Sequence, residues 1–475
     1  MNFMIYDIAL LVLFVVFISI FLYRRKKNLK KEGLLLLYRT SLGMKLIEKI
    51  GTKFKKTLNF LSYVVIGLGY LLMGTMIYLF GKIVWIYIIN PEIVRAIKIP
   101  PIMPLIPYLP QVFKLDFLPP FYFIYWIVII AIVAVVHEFS HGIFARNKDI
   151  GIKTTGFGFF PFFLPVFLAA FVELDEEKMK KKSIFSQMSV LAAGTFANVL
   201  TGIFFFGVMV LFFSLAFMPV GVTFDTYTYS AINISNVVSI NGIALEDVSH
   251  EGLLNSVSEE GLNEVLVGGE KFILTKDFLE LQQNHNGYLL AYDDAPAVNV
   301  GLEGAIAEIN GVKIDSLDKI GKELLKYSPG DKITITTILD EQTTNFDVVL
   351  GEHPTKENVA YLGIGFSNPE SSGVMGKIIS TLSSFKKSHV FYNAKFGAGE
   401  FIYNLLWWLV LISFSIALVN MLPVGIFDGG RFFYLTILAI TKREKVAKKT
   451  FSIITYLFLA LLFVIMAFWL VSWFK

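Results

Sequence analysis

Sixteen consecutive residues, Phe121 to Val136, carry no charge, and the run leads straight into His137-Glu138-Phe139-Ser140-His141. An apolar stretch of this kind belongs in a membrane or a deep core, where a glutamate between two histidines is costly unless it has a function. On a helix, positions i and i+4 share a face, so the imidazoles of His137 and His141 can grip one metal ion. Glu138 beside them can take a proton from an attacking water. Two histidines that merely pack would not require that glutamate. The stretch points to metal-dependent hydrolysis inside a membrane.

The rest of the chain agrees. Of 475 residues, 55% are hydrophobic and 17% charged, with a mean hydropathy of +0.64, which places it among multi-span membrane proteins. The net charge of +4 matters less than its placement, because basic residues cluster between apolar runs. That pattern sets membrane topology, and no nucleic-acid partner is expected. The absence of cysteine excludes disulfides, thiolate zinc sites and cysteine nucleophiles. Any metal must be held by His, Asp or Glu.

Six spans are expected, at about 5–23, 62–90, 120–146, 187–217, 401–422 and 450–473. Basic clusters follow the first, third and fifth (Arg24 to Lys31, Lys178 to Lys182, Lys442 to Lys449) and assign those ends to the cytoplasm. In the first span the charges follow the apolar stretch, the reverse of a cleavable signal, so it is read as retained. Prolines make 91–119 an external or interfacial loop. The segment 154–170 is apolar but holds Gly156, Gly158, Pro161 and Pro165. It is expected as a re-entrant loop or hairpin beside the site, with a lipid-facing loop as the alternative.

Between the fourth and fifth spans, residues 221–375 lack a spanning run and read as a soluble α+β region outside the cytoplasm. Two stretches echo one another, each a strand running into an Asn-Gly turn (Asn241-Gly242, Asn310-Gly311) and a second strand. The second copy continues into a helix at 317–327 and a further strand, an order that resembles a PDZ domain. Tandem domains and one interrupted domain both remain open. The expected fold is a polytopic α-helical membrane protein of about six transmembrane helices with an inserted PDZ-like domain. Its parts are 1–117 (N-terminal spans), 118–220 and 376–441 (the two halves of a membrane core), 221–375 (the insert) and 442–475 (the last span).

A hydrolytic metal site takes three protein ligands and keeps a fourth position open. His250, His285, His353 and His389 lie in the insert or its flank, so an acid must complete the site. Asp428, apolar-flanked and bordering the same leaflet as His141, is the best candidate. Its other role would be a helix N-cap. Glu173 is the runner-up, although it reads as part of a solvated charge run. Asn198, set among Ala193-Gly194-Thr195-Phe196-Ala197, offers a donor for an oxyanion or a substrate backbone, or helix–helix glue. A helical substrate must unwind before it is cut, and the irregular segments 154–170 and 423–430 offer backbone to pair with it.

These residues resemble the site-2 protease family of intramembrane zinc metalloproteases, some of which carry PDZ domains. The resemblance rests on His137-Glu138-x-x-His141, on Asn420-x-x-Pro423-x-x-x-x-Asp428-Gly429, and on Gly194-Thr195-x-x-Asn198, where the family has Gly-Pro-x-x-Asn. It covers the third to fifth spans and the insert; the other spans are peripheral in such proteins. It implies that His137, His141 and Asp428 bind one zinc ion, that Glu138 is the acid/base, and that Asn198 and Asn420 assist. The implied activity is cleavage of transmembrane segments of other membrane proteins in regulated intramembrane proteolysis. The expected partners are transmembrane substrates, the lipid bilayer and a peptide on the PDZ-like region. The expected setting is the cell membrane, with the active site near the cytoplasmic side. A metal transporter and an inactive membrane scaffold are the rival readings.

Overall fold

The structure, a computed structural model, describes residues 3–472 apart from 33–34, 93, 95–99, 116, 160–167, 246, 260, 283–286, 340–341, 368–376 and 378–379. The chain divides into two compact units, residues 1–212 with 400–475, and residues 213–399. Among the described residues, six helices are long and apolar enough to cross a membrane. Together with the strand-rich second unit, they make a membrane protein with an insert.

The first unit begins with α1 (Phe3–Arg24), β1 (Leu29–Glu32), β2 (Leu35–Thr40), the short α2 (Met44–Lys53) and the long α3 (Lys55–Ile89). The motif helix, α4 (Phe123–Asn147), follows the proline-rich segment. β3 (Ile152–Phe159) and β4 (Leu168–Leu174) then form an antiparallel pair. The hairpin expectation for 154–170 is met by its two arms, while Pro161 and Pro165 lie outside the described residues. The sheet is larger than a hairpin, with strand order β1-β2-β3-β4. After α5 (Glu176–Lys180), the fourth span is broken into α6 (Ile184–Leu191) and α7 (Ala193–Ala216).

The second unit opens with β5 (Phe217–Val222), β6 (Tyr229–Asn233), β7 (Val237–Ile240), β8 (Ile243–Ala244), α8 (His250–Ser256), β9 (Asn263–Val267), β10 (Glu270–Leu274) and β11 (Tyr288–Asp293). It continues with β12 (Ala305–Ile309), β13 (Val312–Lys313), α9 (Leu317–Leu324), β14 (Lys332–Leu339), β15 (Gln342–Val349) and β16 (Val390–Ala394). The duplication is plain: β7-β8-α8-β9-β10 and β12-β13-α9-β14-β15 run in the same order. Both Asn-Gly pairs have positive φ at both residues (50° and 77°; 46° and 76°), as a type I′ hairpin turn requires. Each asparagine makes the same pair of bonds to the next strand. The Asn241 backbone N–H donates to the Glu264 carbonyl and its Oδ1 accepts from Glu264 N; Asn310 does likewise with Thr334. Two separate sheets result, β6-β11-β10-β9-β7-β8 and β15-β14-β12-β5-β16. The second extends past the expected limits of 221–375, because β5 pairs with β16 from Phe217↔Ala394 to Val222↔Val390.

The chain returns to the first unit with α10 (Gly399–Asn420), α11 (Asp428–Thr441) and α12 (Glu444–Ser472). One apolar core joins the end of α4 (Phe144, Ala145), the α6–α7 break (Leu191, Ala192, Ala193), α11 (Phe432, Leu435) and α3 (Leu58, Val65, Met73). The first span is tied in as firmly. Asp7 on α1 is 2% exposed, and its carboxylate accepts from Phe123 N (2.6 Å), Ile124 N (3.0 Å) and the Tyr108 hydroxyl (2.6 Å). A carboxylate from another helix thus satisfies amides that the motif helix leaves open at its N-terminus. Asp7→Ala is expected to lower the unfolding stability in detergent by about 2 kcal/mol, since it strands three donors. An unchanged melting temperature would show that the clamp carries no stability.

Candidate active site

The two histidines of α4 are each 8% exposed and point their Nε2 atoms at one place. His137 Nε2 and His141 Nε2 are 3.0 Å apart, and Asp428 Oδ2 lies 3.2 Å from each. Donor atoms about 2.0–2.1 Å from a tetrahedral zinc ion stand about 3.3 Å from one another, so this triangle fits such an ion. Among the described residues it is the one such group of three.

The remaining ring nitrogens explain why both Nε2 atoms are free to ligate. His141 Nδ1 is 2.7 Å from the Val190 carbonyl, which can only accept, so Nδ1 carries the proton and Nε2 the lone pair. Val190 lies in the last turn of α6, where the regular helix ladder ends and a carbonyl can accept from a side chain as well as from the capping Ala192 N–H. His137 Nδ1 sits 3.0 Å from the Nδ2 position of Asn198, a fully buried residue on α7, whose amide oxygen and nitrogen exchange places on a half-turn of the side-chain amide. With Asn198 Oδ1 turned to that nitrogen, Nδ1–H donates to it and His137 Nε2 keeps its lone pair. Asn198 therefore touches the site through His137. Its other amide atom has no partner.

Two close approaches make this packing possible. A Cβ on Gly194 would lie 2.5 Å from His141 Nε2 and 2.7 Å from His137 Nε2, so only glycine lets α7 come this close to the ligating edges of the imidazoles. Pro423 ends α10, and a tight turn returns the chain into α11 with Asp428 as its first residue. A Cβ on Gly429 or Gly430 would strike the backbone of Met421 or Val424, so the glycine pair lets α11 sit against that turn. The N-cap position falls to Phe427, which leaves the Asp428 carboxylate free for the histidines. Thr195 stands where a proline would be tolerated, in the first turn of α7, and donates its hydroxyl to the Ala192 carbonyl.

Glu138 stands outside the triangle. Its Oε2 accepts from Val172 N at 2.9 Å, on β4. Val172 N therefore points away from β3, and by the strand alternation so do the backbone groups of Ala170. β4 is the last strand of its sheet, so this edge is open. It borders a cleft of about 700 Å³ together with His137, Glu138, His141, Asn420 and Asp428.

Glu173 lines the same cleft without joining the triangle. Arg39 on β2 pairs with it at 3.0 Å and the Thr154 hydroxyl donates to it. Arg431, one turn after Asp428, clasps Glu176 with contacts of 2.9 and 3.1 Å. Arg39 and Arg431 were not singled out in the sequence, where nothing marks them from other surface arginines. Of the other histidines, His250, His353 and His389 belong to the second unit, and His285 lies outside the described residues.

Comparison with curated proteins gives no match. The model of peptidase family M50, the site-2 protease family, matches residues 125–465, well over half of the chain. That match starts at the head of the motif helix and runs into the last span, taking in both helices that supply ligands: the chain belongs to peptidase family M50, a family of membrane-embedded metalloproteases.

Proposed function

We propose that this protein is a zinc endopeptidase that cuts the transmembrane segments of other membrane proteins. One observation carries the reading. The His137–His141–Asp428 triangle, the Glu138 carboxylate and an open strand edge all border a single cleft among apolar helices. A zinc ion held by the triangle supplies a Lewis acid for the scissile carbonyl and makes the attacking water more acidic. Glu138 takes the water's proton on the oxygen that Val172 does not hold, and passes it to the leaving amine. Asn198 fixes the His137 ring through Nδ1. A substrate helix hides its carbonyls in its own hydrogen bonds, so it has to open first. The free edge of β4 offers an unwound segment the partners it has lost, and Asn420 holds its backbone as it passes.

The insert is proposed to lie on the extracytoplasmic side, as the basic clusters imply, with the cleft near the cytoplasm. Its two strand-turn-strand-helix-hairpin copies resemble tandem PDZ domains, suited to filtering substrates by size or holding a carboxy-terminal peptide. Cleavage would then release a cytoplasmic fragment. A transporter would spread acidic and histidine residues over several spans; here they converge on one triangle with a general base beside it. An inactive scaffold has no use for Glu138.

The test is the purified chain in liposomes with a single-span reporter protein. Product masses are expected to place one cut inside the reporter's apolar segment. Cuts confined to its soluble ends, or zinc flux without any cut, would overturn the reading. In the same assay Ala170→Pro, which removes one N–H from the open edge, is expected to lower cleavage by about tenfold. Unaltered cleavage would remove β4 from substrate binding.

A further inference from the structure

A second cavity, of about 520 Å³, borders the metal cleft, and Leu105, Ile416, Asn420 and Phe427 line both. Asn420 and Phe427 flank the turn that carries Asp428, so the two spaces are neighbours beside the metal triangle, sharing these side chains as walls. From there the cavity follows α10 back to Trp408, a helical rise of about 18 Å. That is the length of about five residues of extended chain. Its other walls come from α3, α12 and the proline-rich segment around Pro101 and Pro104, and they are almost wholly hydrocarbon. The side-chain polar groups are few: the Asn420 amide at the junction, the Ser415 hydroxyl part-way along, and the Trp408 indole N–H, which donates to the Pro120 carbonyl.

We propose that this trough is a specificity subsite, taking large apolar side chains of the substrate on one side of the scissile bond. The proposal rests on the endopeptidase reading and adds to it a rule for which sequences are cut. Its occupant is set by continuity. A chain lying in the metal cleft and leaving past Asn420 enters this space, and only apolar side chains find partners there. Unwinding one end of a transmembrane helix exposes such side chains, and the trough buries them again. It thereby offsets part of the cost of opening the helix.

The experiment uses the full chain in liposomes with reporters in which each position within five residues of the cut is Leu, Phe or Ala. Wild type is expected to cleave the Leu and Phe forms about tenfold faster than the Ala form at one or more positions on a single side of the bond. Ser415→Trp, which fills the trough well away from the ligands, is expected to lower kcat/KM for the Leu and Phe forms by about tenfold and to leave the Ala form within about threefold. Wild type and Ser415→Trp should hold equal metal. The proposal is overturned if Ser415→Trp slows every reporter equally with metal retained, or if no position shows a size preference. It is also overturned if Ser415→Trp merely expels a co-purifying lipid and leaves the cleavage profile unchanged, which would make the trough an acyl-chain groove. Cleavage without size preference removes the subsite alone, whereas a wild type that cuts no reporter takes the endopeptidase reading with it.

Discussion

Glu138→Gln is expected to keep one metal ion per chain while cleavage falls by about 10²–10⁴-fold, the range that a positioned acid/base group contributes. Glutamine has the shape of glutamate, and its carbonyl oxygen can still accept from Val172 N, so β4 stays tied to the motif helix. What is lost is the ability to take a proton. The ligand triangle of His137, His141 and Asp428 does not include Glu138, so metal content should not follow activity. Elemental analysis and reporter cleavage on the same preparation separate the two. Retained cleavage would mean that the proton goes elsewhere.

Gly194→Ala is expected to be nearly as damaging by the opposite route. The added methyl would stand 2.5 Å from His141 Nε2 and 2.6 Å from His137 Cε1, and each ring is held from its other nitrogen, by Val190 and Asn198. One or both must swing away from Asp428, and a misplacement of about 1 Å at a reacting centre costs about 10²-fold in rate. Metal content should therefore drop together with cleavage, unlike in Glu138→Gln. Thr195→Pro is the matched control, since a proline in the first turn of α7 removes a hydroxyl bond to Ala192 and little else. If Gly194→Ala binds metal normally, α7 is less tightly placed than the geometry requires.

The features legible in the sequence are those whose signal is local. The uncharged run into His137, the breaks at Pro423 and Gly429, the six apolar stretches and the paired Asn-Gly turns each announce themselves within a few residues. Elimination calls for an acid, because the chain has no cysteine and its other histidines lie in or beside the insert, and the apolar flanks of Asp428 favour it over Glu173. What stayed hidden depends on partners far along the chain. β1 overlaps the end of a basic cluster and β2 follows it, so both read as a cytoplasmic loop, and the strand that completes them is β3, where Tyr38 pairs with Phe157. Asp7 looks like an isolated acid in a span until the fold brings it to Phe123, 116 residues away. Asn198 could be read as glue or as a substrate contact. Its place against His137 Nδ1 follows from the α6–α7 break, which no spacing rule gives. The expected end of the insert at 375 fell short because β16 is recognisable as a strand chiefly by its pairing with β5.

The most direct test of the central claim is to strip the purified chain of metal with a chelator, reconstitute it with a single-span reporter in liposomes, and titrate zinc back. Cleavage inside the apolar segment should vanish on stripping and return in full as zinc approaches one equivalent per chain, with Asp428→Ala failing to recover. Cleavage that survives stripping, or that Asp428→Ala recovers as wild type does, would contradict a metal centre built from His137, His141 and Asp428.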